Sequence, residues 1–156
     1  MREIKFRGKR LDNGEWIYGD LITDGVDFQI HCKDQRCRFN KDDCKQTLLK
    51  SYKVNPKTVG QYTGLKDKNG KEIYEEDIVT RKGFYPFFDV DSDRYNYLAI
   101  IEWVFCGFQY VLKCVNPEKR GISDGINEPI EDAENFEVIG NIYENQKLLE
   151  NKNERD

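Results

Sequence analysis

Apolar and polar residues alternate in short runs along much of the chain, and turn-forming residues separate these runs. Residues 4–11 show this alternation, and residues 15–22 are rich in the aromatic and branched side chains that strands prefer. The turn signal at residues 12–14 lies between them, so we predict a β-hairpin. Strict alternation over residues 26–30 predicts a third strand. The first thirty residues are therefore predicted to be antiparallel β-structure.

Residues 61–79 read QYTGLKDKNGKEIYEEDIV and join two strand-like runs through a tight turn. Asn69 and Gly70 supply the left-handed backbone torsions that such a turn needs. Residues 97–105 and 108–115 carry the strongest strand patterns, and we predict that they pair antiparallel. The remaining predictions are short strands at 52–54, 58–62 and 136–143, a long loop over 31–50, and a polar tail over 144–156.

The length and composition limit the classes of protein that fit. A chain of 156 residues suits one ordinary domain or two very small β modules. No apolar run approaches the roughly 18 residues that cross a bilayer, and no apolar signal-peptide core follows the first residues. Five irregularly spaced cysteines fit reduced thiols better than a disulfide framework. We therefore expect a cytoplasmic protein with no membrane partner.

Charge is distributed unevenly between the two halves of the chain. Residues 1–66 carry 14 Lys or Arg against 9 Asp or Glu, whereas residues 67–156 carry 11 against 20. The basic half could face a polyanion, or the basic part of one subunit could meet the acidic part of the next. Both interpretations remain open at this point.

Two short segments are echoed later in the chain. Residues 16–22 resemble residues 73–79 with one residue inserted, and residues 59–62 resemble residues 139–142. One interpretation is a duplicated small barrel with pseudo-repeats 1–66 and 67–143. The other is chance similarity among strand-rich segments. In either case we predict one compact β unit over residues 1–143, followed by the tail over 144–156.

Four segments together resemble the YopX family of small proteins from Gram-positive phages and prophages. They are KFRG at 5–8, the fifteen residues at 61–75, DIV at 77–79 and IGNIYEN at 139–145. The resemblance implies a mainly β fold with SH3-like barrel character, self-association into a homo-oligomer, and a phage accessory role whose biochemistry is not established. It implies no catalytic residues. The family usually has glycine where Glu76 stands, which raises the question of the backbone conformation there.

Metal and catalytic sites find little support in the spacing of residues. His31 lies beside Cys32, and neighbouring strand residues point to opposite faces, so they do not readily share a zinc ion with Cys37 and Cys44. Residues 89–93 resemble the start of a calcium loop, but the pattern then fails. Phosphate-cradling glycine motifs are absent from the sequence. We predict no catalytic residues, no metal and no cofactor, and hence a protein that is not an enzyme.

Cations and aromatic residues are interleaved in the basic half, which is typical of surfaces that bind nucleic acid. The alternative is that the aromatic residues form the core and the cations form an ordinary solvated face. The candidate nucleic-acid-binding residues are Arg2, Lys5, Arg7, Lys9, Arg10, Lys33, Arg36 and Arg38.

The segment at residues 84–88 is too apolar for a free loop and lacks strand alternation. Such a segment packs either onto a neighbouring protein or back onto its own barrel. The candidate interface residues are Phe84, Tyr85, Phe87 and Phe88. Our first expectation is a non-catalytic, self-assembling interaction module that binds copies of itself or a phage or host protein. Nucleic-acid binding through the basic half is the alternative.

Overall fold

The computed structural model describes residues 3–33, 49–82, 96–104, 109–115, 127–130 and 133–149, and strands dominate these residues. The strands are β1 Phe6–Lys9, β2 Trp16–Thr23, β3 Phe28–Lys33, β4 Leu49–Lys53, β5 Gly60–Lys66, β6 Glu72–Tyr74, β7 Asp77–Lys82, β8 Asn96–Val104, β9 Gln109–Val115, β10 Asn127–Pro129 and β11 Phe136–Asn141. Short 3₁₀ helices cover Pro56–Thr58, Ala133–Asn135 and Gln146–Leu148. The predicted mainly β fold is confirmed.

The chain divides into two compact units, Met1–Tyr62 and Thr63–Asp156, and the boundary lies within β5. In the first unit the antiparallel strands follow the order β4-β3-β2-β1-β5. The pairing of β1 with β2 places Arg7 opposite Tyr18 and Lys9 opposite Trp16, which confirms the predicted hairpin. Within the described residues, no helix is long and apolar enough to cross a membrane.

The sheet of the first unit curls until the end of β4 meets the end of β1. Arg10 and Val54 form an antiparallel bridge. On either side of it, the N–H of Leu11 donates to the carbonyl of Lys53 at 3.0 Å, and the N–H of Asn55 donates to the carbonyl of Lys9 at 2.8 Å. This curl gives the unit a barrel-like architecture. The more specific SH3-like topology stays a prediction.

Two glycines let the curled strands approach each other closely. A Cβ atom on Gly8 would lie 3.0 Å from Cβ of Val54, and one on Gly19 would lie 2.0 Å from the carbonyl oxygen of His31. Ile30 and Val54, which are almost completely buried, fill the interior beside them. The close approach of the strands therefore requires glycine at position 19, and a side chain at position 8 would press against Val54.

Residues 58–62 were predicted as a strand, but the strand begins only at Gly60. The 3₁₀ helix Pro56–Thr58 lies before this strand, and Asn55 caps the start of the helix. The side-chain oxygen of Asn55 accepts the N–H of Lys57 at 3.1 Å, and Pro56 presets the first helical torsion. Thr58 is buried, and its hydroxyl accepts the N–H of Lys9 at 2.9 Å. The start of the predicted strand was wrong because this local side-chain capping outweighs strand propensity.

The second unit contains an antiparallel sheet with the order β10-β9-β8-β7-β11. Its strands β8 and β9 pair along their lengths, from Leu98 opposite Val115 to Val104 opposite Gln109, as predicted. The hairpin of β5 and β6 joins through the predicted turn. One apolar cluster fills this unit, and its buried members are Ile73, Val79, Ala99, Ile101, Ile130, Ala133, Phe136 and Val138.

Strand β11 ends at Asn141, two residues before the predicted end at residue 143. The side-chain oxygen of Asn141 accepts the N–H groups of Tyr143 and Glu144, each at 3.0 Å. Asn145 closes the turn, because its side-chain oxygen accepts the N–H of Asn141 at 3.1 Å. These bonds redirect the chain into the 3₁₀ helix Gln146–Leu148 at the start of the predicted polar tail.

The two segments that echo each other in sequence differ in backbone path. Trp16–Thr23 is one continuous strand, whereas residues 73–79 contain the end of β6, the turn at Glu75 and Glu76, and the start of β7. The duplication stays a prediction.

Candidate functional site

Cations and aromatic rings lie side by side on one face of the first unit. Arg7 and Lys9 occupy alternate positions in β1, and Lys5 lies two residues before Arg7, immediately before the strand. Side chains at alternate positions of an extended chain leave the same face. The opposing positions on β2 carry Trp16 and Tyr18. We call these five residues the cation–aromatic ladder.

The ladder brings each of its three cations over a ring. Nζ of Lys5 lies 5.9 Å from the centre of the Tyr18 ring, and Nζ of Lys9 lies 5.6 Å from that of Trp16. Cζ of Arg7 lies 4.9 Å from Trp16, and Arg7 is only 6% exposed. Contacts of this kind contribute roughly 0.5–2 kcal/mol each, and more when the cation is desolvated. Arg7 is therefore mainly a buried packing residue. Tyr18, by contrast, is 44% exposed to solvent.

The guanidinium of Arg10 is paired with carboxylates of its own loop. Its guanidinium lies 4.1 Å from the centre of the Tyr52 ring, its Nε donates to Asp12 at 2.9 Å, and a second nitrogen lies 3.6 Å from Glu15. The hydrogen bond between Arg10 and Asp12 raises the pKa of the guanidinium and lowers the pKa of the carboxyl. A polyanion would have to compete with these two carboxylates for Arg10.

The structure brings together four of the predicted nucleic-acid-binding residues, namely Lys5, Arg7, Lys9 and Arg10. Lys33 ends β3 on another strand, and its side chain lies outside the described residues. The other predicted cations and the predicted interface residues also lie outside the described residues: Arg2, Arg36, Arg38, Phe84, Tyr85, Phe87 and Phe88.

Strand β2 also presents apolar side chains to solvent, and these are not among the predicted site residues. Tyr18, Asp20 and Ile22 alternate along one face of the strand, and we call them the outer β2 face. Tyr18 is 44% exposed and Ile22 is 50% exposed. The signal was present in the sequence, because Ile17 and Leu21 alternate with these residues and a strand with two apolar faces leaves one of them uncovered.

In the second unit, the side chain of Asp67 has a structural role in the turn between β5 and β6. Asp67 is 5% exposed, and its carboxylate accepts the N–H groups of Asn69 at 2.8 Å, Lys71 at 2.8 Å and Val138 at 3.0 Å. Burial acts to raise the pKa of Asp67, but these three backbone donors and the charge of Lys71 outweigh it, so that the pKa lies below its ordinary value. The turn is thereby fastened to β11.

A second turn holds the only non-glycine residue with positive φ in the described part of the chain. Glu76, with φ of 64°, lies between β6 and β7. Its N–H donates to the carbonyl of Ile101 at 2.7 Å, and its carbonyl accepts the N–H of Ile142 at 3.1 Å. Asp77 accepts the N–H of Tyr74 at 2.9 Å. These bonds hold a glutamate in the left-handed conformation that glycine adopts more readily.

Of the cysteine and histidine candidates, the structure describes His31 and Cys32. His31 lies on β3 opposite Ser51, and Cys32 is a half-buried free thiol. Cys37 and Cys44 lie outside the described residues. In the ranges that the structure describes, no group of three or more His, Cys, Asp or Glu side chains is arranged to hold a metal ion.

Two comparisons with known proteins identify the fold and the family of this chain. The crystal structure of protein EF1440 from Enterococcus faecalis superposes with a TM-score of 0.50 at 20% sequence identity, over 96% of this chain and 100% of that one. At that identity the similarity shows the fold alone. Residues 5–150 match the family described as YopX protein, and the chain therefore belongs to the YopX family. The search of curated proteins found no match.

The segments that resemble the YopX family include two bonded turns of the second unit. Residues 61–75 contain the Asp67 turn, and residues 139–145 contain the Asn141 turn. Glu76, which follows the first of these segments, has a left-handed backbone. In these two turns the side chains of Asp67 and Asn141 accept backbone N–H groups, which is a structural role.

Proposed function

We propose that this protein is a non-catalytic interaction module that self-associates through the outer β2 face of its first unit. The observation that carries the proposal is the exposure of Tyr18 and Ile22 on one face of a single strand. Large apolar side chains that are exposed on the same face of a strand favour contact with another protein surface. The partner that we propose is a second copy of the chain.

Charge complementarity supports a second copy as the partner. Residues 1–66 carry an excess of cations and residues 67–156 carry an excess of anions. A head-to-tail contact would place the basic part of one copy against the acidic part of the next, and opposite charges steer such an encounter. A contact of this kind should weaken as salt is added, because exposed charges are screened.

Sedimentation velocity of the full chain over a range of concentrations tests this proposal. We expect concentration-dependent association that the double substitution Tyr18→Ser and Ile22→Ser weakens by about tenfold or more, since burying a large apolar side chain contributes about 1.5–3 kcal/mol. The matched control is Val26→Ser, which removes an apolar side chain that is 84% exposed and lies beyond the end of β2.

Retained folding of the double variant is checked by circular dichroism before its association is interpreted. A wild-type chain that stays monomeric at all concentrations would contradict self-association. Association that responds equally to the double substitution and to Val26→Ser would contradict the assignment of the face.

Nucleic-acid binding is a second candidate, and the cation–aromatic ladder is the observation that favours it. Lys5 beside Tyr18 combines a cation for a phosphate with an exposed ring on which a base could stack. Because Arg7 is buried and Arg10 pairs with Asp12, we assign the main phosphate contacts to Lys5 and Lys9.

Fluorescence anisotropy with labelled single-stranded and double-stranded oligonucleotides, at low and physiological salt, tests this candidate. We expect binding with a steep salt dependence that Lys5→Gln with Lys9→Gln removes. Lys147→Gln is the control, because Lys147 is an exposed cation of the second unit and does not belong to the ladder. The absence of binding even at low salt would reject this candidate.

A further inference from the structure

The chain contains two turns in which asparagine precedes glycine. Asn13-Gly14 connects β1 and β2, and Asn69-Gly70 connects β5 and β6. All four residues are exposed, and the two glycines have similar positive φ values of 72° and 79°. The two sites therefore share local sequence, exposure and backbone conformation at the glycine, which makes them a matched pair.

We propose that Asn69 is a site of spontaneous deamidation in the folded protein, and that Asn13 is protected from the same reaction. The backbone nitrogen of Gly70 attacks Cγ of Asn69, a carbon–nitrogen bond forms, and the side-chain amide leaves as ammonia. Water then opens the resulting cyclic imide to give aspartate or isoaspartate. The only co-reactant is water, and asparagine is among the residues that are labile in this way.

The attacking nitrogen is restrained equally at both sites. The N–H of Gly14 donates to the carbonyl of Arg10 at 3.1 Å, and the N–H of Gly70 donates to the carbonyl of Asp67 at 2.9 Å. Each turn must open locally before its glycine nitrogen can react. The nucleophile therefore does not distinguish the two sites.

The side chain that is attacked is held differently at the two sites. Oδ1 of Asn13 accepts the N–H of Glu15 at 3.0 Å, and Nδ2 of Asn13 donates to the carboxylate of Glu15 at 2.6 Å. Both ends of that amide are thus held by Glu15, which restricts its rotation. In the described residues, the side chain of Asn69 makes no hydrogen bond, although its backbone N–H donates to Asp67 at 2.8 Å. Only the Asn69 amide is free to rotate toward the glycine nitrogen.

Reaction at Asn69 would disturb a turn that holds β11. The product places a new carboxylate two residues from the buried carboxylate of Asp67. The isoaspartate form also adds a carbon to the backbone between Lys68, which donates its N–H to the carbonyl of Phe136 at 2.9 Å, and Lys71. Both changes should weaken the attachment of the turn to β11. Reaction at Asn13 would not affect this turn directly, because Asn13 lies in the other unit.

Incubation in mildly alkaline buffer, followed by peptide mapping with mass spectrometry, measures deamidation at both sites in the same sample. We expect a several-fold faster reaction at Asn69 than at Asn13 in the folded chain. In denaturant the two rates should become comparable, because both asparagines precede glycine and the hydrogen bonds of the fold are lost. The ratio between the two sites, native against denatured, isolates the contribution of the structure.

The variant Glu15→Ala tests the cause of the protection. It removes the carboxylate that holds Nδ2 of Asn13, and it should raise the rate at Asn13 while leaving the rate at Asn69 unchanged. A native ratio equal to the denatured ratio would overturn the proposal. Faster reaction at Asn13 than at Asn69 in the folded chain would overturn it as well.

Discussion

The two units are stabilised in different ways although both consist of antiparallel strands. In the first unit, glycines at positions 8 and 19 let backbone and side chains approach within distances that a methyl group would not allow. In the second unit, an apolar cluster around Ile73 and Ile101 is combined with a buried carboxylate, Asp67, that accepts three backbone donors. We therefore expect the stability of the first unit to fall when atoms are added at these glycines. The stability of the second unit should fall when its buried interactions are removed.

Each unit contains one of the two tryptophans of the chain, so their unfolding can be followed separately. Trp16 lies in the first unit and Trp103 in the second. Replacing one tryptophan with phenylalanine leaves the other as the fluorescent reporter of its own unit.

The largest expected effect is that of Gly19→Ala. The added methyl would lie 2.0 Å from the carbonyl oxygen of His31 and 3.2 Å from Cγ2 of Ile30, so the backbone itself must move. We expect the free energy of unfolding reported by Trp16 to fall by about 3 kcal/mol, at the upper end for overpacking. Urea unfolding in a Trp103→Phe background measures it.

Gly14→Ala is the control for backbone strain without a clash. Gly14 has a φ of 72°, and a Cβ atom there would meet nothing within 4 Å, so we expect a loss of roughly 1 kcal/mol only. Equal losses for the two variants would show that strand approach at Gly19 does not limit the stability of the first unit.

The second expected effect is that of Asp67→Asn. An asparagine keeps one acceptor oxygen but turns an N–H group toward a backbone donor, so we expect the second unit to lose about 1–3 kcal/mol in urea unfolding reported by Trp103. Lys68→Met is the control, because the pair of Lys68 with Glu137 is substantially exposed and contributes about 1 kcal/mol at most.

The Asp67 variant should also change the response to acid. The pKa of Asp67 is lower in the folded protein than its ordinary value of 3.8, so its contribution is fully present above that value and is lost as the pH falls through the folded pKa. We therefore expect the stability difference between wild type and Asp67→Asn to shrink as the solution is acidified. A difference that stays constant or grows would contradict the role of the charge.

The smallest expected effect has the opposite sign. Glu76→Gly relieves the left-handed strain at φ of 64° and should stabilise the second unit by about 1 kcal/mol relative to Glu76→Ala. Alanine is the appropriate reference because both substitutions remove the glutamate side chain and only one permits this backbone conformation. Thermal unfolding of the two variants measures the difference, and an alanine variant as stable as the glycine variant would contradict it.

Local patterns predicted much of this fold because strand alternation and turn chemistry are encoded by neighbouring residues. The hairpin of β1 and β2, the pairing of β8 with β9 and the turn at Asn69 all follow from such patterns. The predicted limits of two strands were wrong because a side-chain oxygen accepts backbone N–H groups beside them. Asn55 does this before β5, and Asn141 does it at the end of β11. The curl of the first unit depends on close approach at Gly19, a contact that sequence spacing does not reveal.

The candidate site was predicted less completely. The sequence indicated that cations and aromatic residues are interleaved in the basic half, but not that Arg7 is buried beside Trp16. It gave no reason to expect that Arg10 pairs with Asp12 and Glu15, because each of these charges is also compatible with solvent. Burial and pairing depend on which strands become neighbours, and that information is non-local.

The Asp67 turn has a consequence for assembly that goes beyond its stability. Strand β11 lies at one edge of its sheet, where exposed backbone groups would accept a further strand from another molecule. The turn occupies these groups: Phe136 offers its carbonyl to Lys68, and Val138 offers its N–H to Asp67 and its carbonyl to Lys71. A turn of the same chain thus makes these groups unavailable to a strand of another molecule, and loss of its bonds would expose them for strand pairing.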